Sequence, residues 1–123
     1  MPKVYYDGNS GLKSCELSDW AVRHGYGLCE GRMTYEHILP RQMFRGNREG
    51  FKLAYDVYGD LFGGCTCMKH NSGNKCADTE KAILFLLRKR LEEHPELMEL
   101  AIKEVAATFK SPPPYLRLDY LLD

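Results

Sequence analysis

At 123 residues the chain is long enough to bury one real core and too short for two, and its 44% hydrophobic and 28% charged residues suit a globular protein. No apolar run approaches the roughly 18 residues that span a bilayer, and MPKVYYDGNSG lacks the apolar centre of a secretory signal, so a cytoplasmic setting is expected. Seventeen basic residues balance seventeen acidic ones, so bulk charge gives no argument for a polyanionic partner, and five cysteines without a secretion signal argue against disulfides.

In chain order, Val4 to Tyr6 is a short apolar start, closed by DGNSG, and reads as a strand or an extended arm. Leu17, Trp20, Ala21 and His24 recur at helical spacing, which predicts a helix from about Cys15 to His24 with Ser14 to cap it and Gly25 to end it. Gly25 to Arg41 has the turn chemistry and alternation of a tight β-hairpin arm. Arg45 to Gly50 is loop chemistry, and FKLAYDVYGDLF, residues 51–62, fits a short helix or a strand. From Asp78 the stripe Ile83, Leu84, Leu87 and Leu91 predicts a helix capped by Asp78 or Thr79, and Pro95 opens a second one. The tail from Ser111 is apolar enough to dock on the body or on a partner, its own core being the commoner outcome.

Chemistry-bearing residues concentrate between these helices. Cys29 is followed by Glu36-His37 and then, after a spacer, by CTCMKHNSGNKC, which packs three of the five cysteines beside His70 and two asparagines. Clustered thiols and imidazole are the soft donors of a zinc site. Cys29, Cys67 and His70 could hold a structural Zn²⁺, with Cys65, Cys76, Cys15 or His24 as the fourth ligand; taken singly, Cys15 and Cys76 read as buried thiols. Arg41, Arg45, Arg48 and Lys52 crowd after the Glu-His pair, equally a solvated loop or a phosphate-contacting one. Arg88-Lys89-Arg90 reads as a solvated helix face that could also lie along a phosphate backbone, His94 as a helix-junction residue, and Trp20 as core.

In that order, Cys29, then Glu36-His37-Ile38-Leu39-Pro40-Arg41, then Cys67, His70, Asn71 and Lys75, the sequence resembles the HNH nucleases, also called His-Me finger or ββα-metal enzymes, and small phage-type members especially. The resemblance covers roughly Gly27 to Ala82. It implies an α+β fold with a ββα-metal hairpin-plus-helix core inside a single domain, extended by helices over about 78–110 and a tail over 111–123. It also implies an endonuclease cutting DNA, by nicking or by double-strand cutting as a homodimer, in a phage or mobile-element setting. His37 would be the general base, since an imidazole with an ordinary pKa near 6.5 accepts a proton readily at neutral pH. Glu36 and Asn71 would offer oxygen ligands to Mg²⁺ or Mn²⁺, Asn47 would orient the imidazole, and Arg41, Arg45, Arg48 and Lys75 would contact phosphates. One departure stands out: the family's usual first cysteine, three residues before Cys29, is Tyr26 here, so the common zinc site is incomplete. The competing expectation is a non-catalytic zinc-stapled module that binds nucleic acid or a protein.

Overall fold

The computed structural model describes residues 14–122, so the strand or arm expected at Val4 to Tyr6 lies outside the described residues. The first helix, α1 (Ser18–Arg23), is shorter than its spacing predicted: Leu17 is the N-cap, and no side chain caps it, Ser14 included. Its apolar face buries Leu17, Trp20 and Ala21. The tight hairpin expected between Gly25 and Arg41 does not form. Gly25, Gly27 and Gly31 each take positive φ, a conformation that interrupts a strand, so 25–32 is a chain of turns and only β1 (Met33–His37) is extended.

The partner of β1 arrives after a helical excursion. Residues 41–62 form a 3₁₀ turn (Arg41–Phe44), α2 (Arg48–Lys52) running into a π-helical turn (Leu53–Val57), and α3 (Gly59–Phe62). The ambiguous stretch 51–62 is therefore helical. Asn47, expected in a loop beside the imidazole, caps α2: its Oδ1 accepts from Gly50 N–H at 3.0 Å and its Nδ2 donates to Thr108 at 2.9 Å. β2 (Gly63–Cys67) then pairs antiparallel with β1, from Met33 opposite Cys67 to His37 opposite Gly63. The other edge of β2 is covered by Glu16, whose N–H donates to Cys65 O at 2.8 Å and whose carboxylate accepts from Cys65 N–H at 2.9 Å.

After β2 the chain makes a π-helical turn (Lys69–Gly73), a 3₁₀ turn (Cys76–Asp78) and then α4 (Glu80–Glu93), capped by Thr79 rather than Asp78. The buried stripe of α4 is Ala82, Ile83, Leu86, Leu87 and Leu91, with Leu84 only half-buried. α5 (Pro95–Ala106) opens at Pro95 as expected and lies against α4 and the excursion. The tail docks on this chain's own core through α6 (Leu118–Leu122), burying Leu116 and Leu121. The fold is thus mixed, several helices around one two-stranded antiparallel sheet. Among the described residues no helix is long and apolar enough to cross a membrane.

Candidate functional site

At the Met33–Cys67 end of the sheet, Cys15, Cys29, Cys67 and His70 bring three sulfurs and one ring nitrogen within 4.8 Å of one another, a group that could hold a metal ion. The Nδ1 of His70 lies 3.3 Å from Cys67 Sγ, 3.6 Å from Cys15 Sγ and 3.9 Å from Cys29 Sγ. Zn–S bonds of about 2.3 Å and Zn–N bonds of about 2.0–2.1 Å, set tetrahedrally, put sulfur and nitrogen roughly 3.6 Å apart. The three separations bracket that value. On its other side His70 Nε2 sits 3.0 Å from Gly27 O; a carbonyl there accepts a hydrogen bond, so the proton belongs on Nε2 and the Nδ1 lone pair faces the sulfurs.

The fourth member of the group is Cys15, one of the four candidates for that place, which corrects its single reading as a plain buried thiol and offers the sulfur that Tyr26 cannot. Cys65, Cys76 and His24 stand outside the group: Cys76 is a buried thiol, and His24 stacks on Trp20. Burial raises Cys15, and burial with the nearby Cys15 pushes Cys29 up to about 12, whereas at Cys67 burial is outweighed by backbone hydrogen bonds at His70 and Glu30 together with hydrogen bonds to Cys29 and Cys15, which lower it. Three thiols so close repel as thiolates, a conflict that a divalent cation relieves.

Glu36 and His37 lie toward the other end of the sheet, on opposite faces of β1. Glu36 is 4% exposed, and burial together with the neighbouring Asp78 carboxylate raises it to about 8. His37 is half-buried among aromatic rings, edge-on to Tyr35 at 5.0 Å and to Tyr55 at 4.7 Å, with Phe51 stacked at 6.0 Å. Burial first, and Arg41 second, lower its pKa, which keeps the imidazole neutral near pH 7. It opens with Arg41 and Asp78 onto a cleft of about 350 Å³.

Asn71, at the turn after β2, donates from Nδ2 to Thr34 Oγ1 at 2.7 Å and to Tyr35 O at 3.3 Å. It is therefore seated against the strand that carries Glu36-His37, with its Oδ1 left as acceptor. A buried Glu36 carboxyl beside the exposed Asp78 carboxylate, with the Asn71 amide oxygen on the turn seated against the same strand, offers the kind of oxygen donors a hard cation takes once Glu36 is ionised. Arg41, Arg45 and Arg48 rim a second cleft of about 450 Å³ floored by Phe44 and Phe51, and the Arg41 guanidinium lies 5.7 Å over the Phe51 ring. Lys75 is exposed on a turn with φ 59°.

Sequence reasoning missed Asp78 as a neighbour of Glu36, having read it only as a cap, and missed the aromatic wall around His37. The wall had a signal: Phe51 and Tyr55 stand four apart, one face of a helix if 51–62 is helical. Compared with known protein families, curated proteins and solved structures, the chain matches none.

Proposed function

We propose that the protein is a metal-dependent endonuclease of the HNH type, hydrolysing phosphodiester bonds in DNA on a ββα-metal scaffold whose Cys15, Cys29, Cys67 and His70 hold a structural Zn²⁺. The observation that carries this reading is the seating of Asn71 on the strand of Glu36 and His37, two segments far apart in sequence that hydrolysis needs side by side. His37, neutral near pH 7, would accept the proton of the attacking water. The water oxygen bonds to phosphorus, the P–O bond to the leaving oxygen breaks, and that oxygen takes a proton from solvent. Glu36, once ionised, and Asn71 would hold Mg²⁺ or Mn²⁺, whose Lewis acidity would stabilise the charge on the leaving oxygen. Tyr35, Tyr55 and Phe51 restrict the imidazole to few orientations, a role that the sequence had suggested for Asn47. Arg41, at the mouth of both clefts, would hold a phosphate beside His37.

The second reading is a zinc-stapled module that binds nucleic acid or protein without cutting. The deep burial of Glu36 and the zero net charge favour it. Plasmid nicking at low salt with Mg²⁺ or Mn²⁺ separates the two. His37→Ala should slow nicking about 10²- to 10⁴-fold while DNA affinity stays within a few-fold of wild type. Equal nicking by the variant removes His37 as the base, and a wild type that binds without nicking leaves the module.

A further inference from the structure

α4 divides the run Arg88-Lys89-Arg90. Arg90 is buried against Glu16, while Arg88 and Lys89 join α1 in lining a cleft of about 680 Å³ between the two helices. That cleft collects four basic residues, Arg23, Lys81, Arg88 and Lys89, against one acid, Glu92, in a chain of zero net charge. Lys89 also pairs with Glu16 at 3.1 Å. Among the described residues no carboxylate pairs with Arg23 or Lys81, and both are exposed.

Its aromatic wall is a stack built on Trp20 that presents one exposed ring, His24. Tyr26, at 5.6 Å and 7° from parallel, and His24, at 4.3 Å and 19°, both stack on Trp20. His24 is exposed, and its Nδ1 is tied to Trp20 O at 2.8 Å, which fixes the ring in the stacking plane. A flat ring added on His24 would continue the stack, with the half-buried Phe85 beside it. Cations next to an aromatic platform are the pairing that holds one nucleotide, phosphate against charge and base against ring. In a duplex the bases are already stacked on one another, so only an unpaired strand can use such a platform.

We infer that this cleft binds a nucleotide of single-stranded nucleic acid, its phosphates at Arg23 and Lys81 and its base on the His24–Trp20 stack. The inference rests on reading the protein as one that acts on nucleic acid, and it is independent of cutting. The cleft shares no lining residue with the one at His37.

Trp20 is the chain's single tryptophan and, though buried, stacks on the exposed His24 and lines the cleft with it, so its fluorescence reports occupancy through that ring. Titration with an oligothymidylate of about eight nucleotides at low salt should change that emission, while a blunt duplex of equal length, inorganic phosphate and polyglutamate bind at least tenfold more weakly. Arg23→Glu with Lys81→Glu should weaken oligonucleotide binding at least tenfold, with unfolding unchanged, and should reduce the slope of log affinity against log salt by about 1.4, two phosphate contacts at roughly 0.7 each. His24→Ala, which removes the platform but no formal charge, should cost roughly 5- to 150-fold. Unchanged affinity in these variants, or polyglutamate binding as tightly as the oligonucleotide, overturns the inference. The two proposals fail separately: loss of nicking with oligonucleotide binding intact removes catalysis alone, and nicking without a Trp20 response removes this cleft alone.

Discussion

Replacing Glu16 by glutamine takes one charge out of an ion pair that is almost wholly buried and keeps the shape of the side chain. The Arg90 guanidinium, 2% exposed, donates to both Glu16 carboxylate oxygens at 2.7 and 2.8 Å and also to Gly63 O and Asp60 O at 2.7 and 3.2 Å. Lys89 adds a contact to Glu16 at 3.1 Å. Burial by itself would raise the Glu16 carboxyl, but the Arg90 hydrogen bonds and charge, with Cys65 N–H and Lys89, bring it from 4.5 down to about 2. That depression corresponds to about 3 kcal/mol, at the lower edge of the 3–5 kcal/mol that breaking a buried pair costs. Glu16→Gln should therefore lose about 3 kcal/mol in urea unfolding at pH 7 and roughly 10 °C in melting temperature. The stabilisation belongs to the ionised carboxylate, so it is complete above pH 4.5 and fades as pH falls toward 2. Wild type should lose more stability than the variant across that window, so their curves converge. A difference under about 1 kcal/mol at pH 7, or one that held constant down to pH 3, would refute the reasoning.

Metal analysis of the purified protein should find about one zinc per chain, lost on Cys15→Ser or His70→Ala together with much of the stability, since structural zinc contributes directly to folding; protein without zinc, whose melting a chelator leaves unchanged, would dispose of the staple. Gly63→Ala should destabilise by about 1–3 kcal/mol through overpacking, because its Cβ would land on the Tyr35 hydroxyl and ring, with ring carbons 2.5 Å away. Since Tyr35 touches His37, nicking should fall in that variant by more than its unfolded fraction explains, whereas equal falls would mean that the Tyr35 ring does not position His37.

α4 and α5 were legible because their signals are local. Thr79, Pro95 and the apolar spacing of Ile83, Leu87 and Leu91 act within a few residues of themselves, and the structure uses each of them. β2 was not legible. Gly63-Gly64-Cys65-Thr66-Cys67 is buried at all five positions, so it carries no alternation, and its glycines look like a break until Tyr35 is seen to fill the space over Gly63. Three metal-site donors could be read because Cys67 and His70 are three apart and Cys29 belongs to the motif, but Cys15 comes from a segment that only the tertiary fold brings near. Asn47 misled for the opposite reason. Its surroundings are polar and loop-like, yet it starts a helix with no apolar stripe long enough to announce it.

The register of the sheet separates two kinds of chemistry along one strand. Cys67, a donor of the Cys₃His group, pairs with Met33, and Gly63 pairs with His37, so four strand steps lie between them, on the order of 13 Å. Soft sulfur groups at one end and the oxygen groups proposed as ligands, with a neutral imidazole, at the other would not compete for one ion. The turn Lys69–Gly73 joins the two, because His70 points into the sulfur cluster while the adjacent Asn71 reaches back to Thr34 and Tyr35. A metal at the cluster would thus act on the proposed chemistry by fixing where Asn71 stands, not by touching substrate. The Glu16–Arg90 pair does the same from the other side: Cys15 and Glu16 are consecutive, one a donor to the cluster and the other clamped to Cys65, Gly63 and α4 through Arg90. Both ends of β2 are fastened through that one dipeptide, which is why the segment before α1 belongs to the site although the motif begins at Cys29.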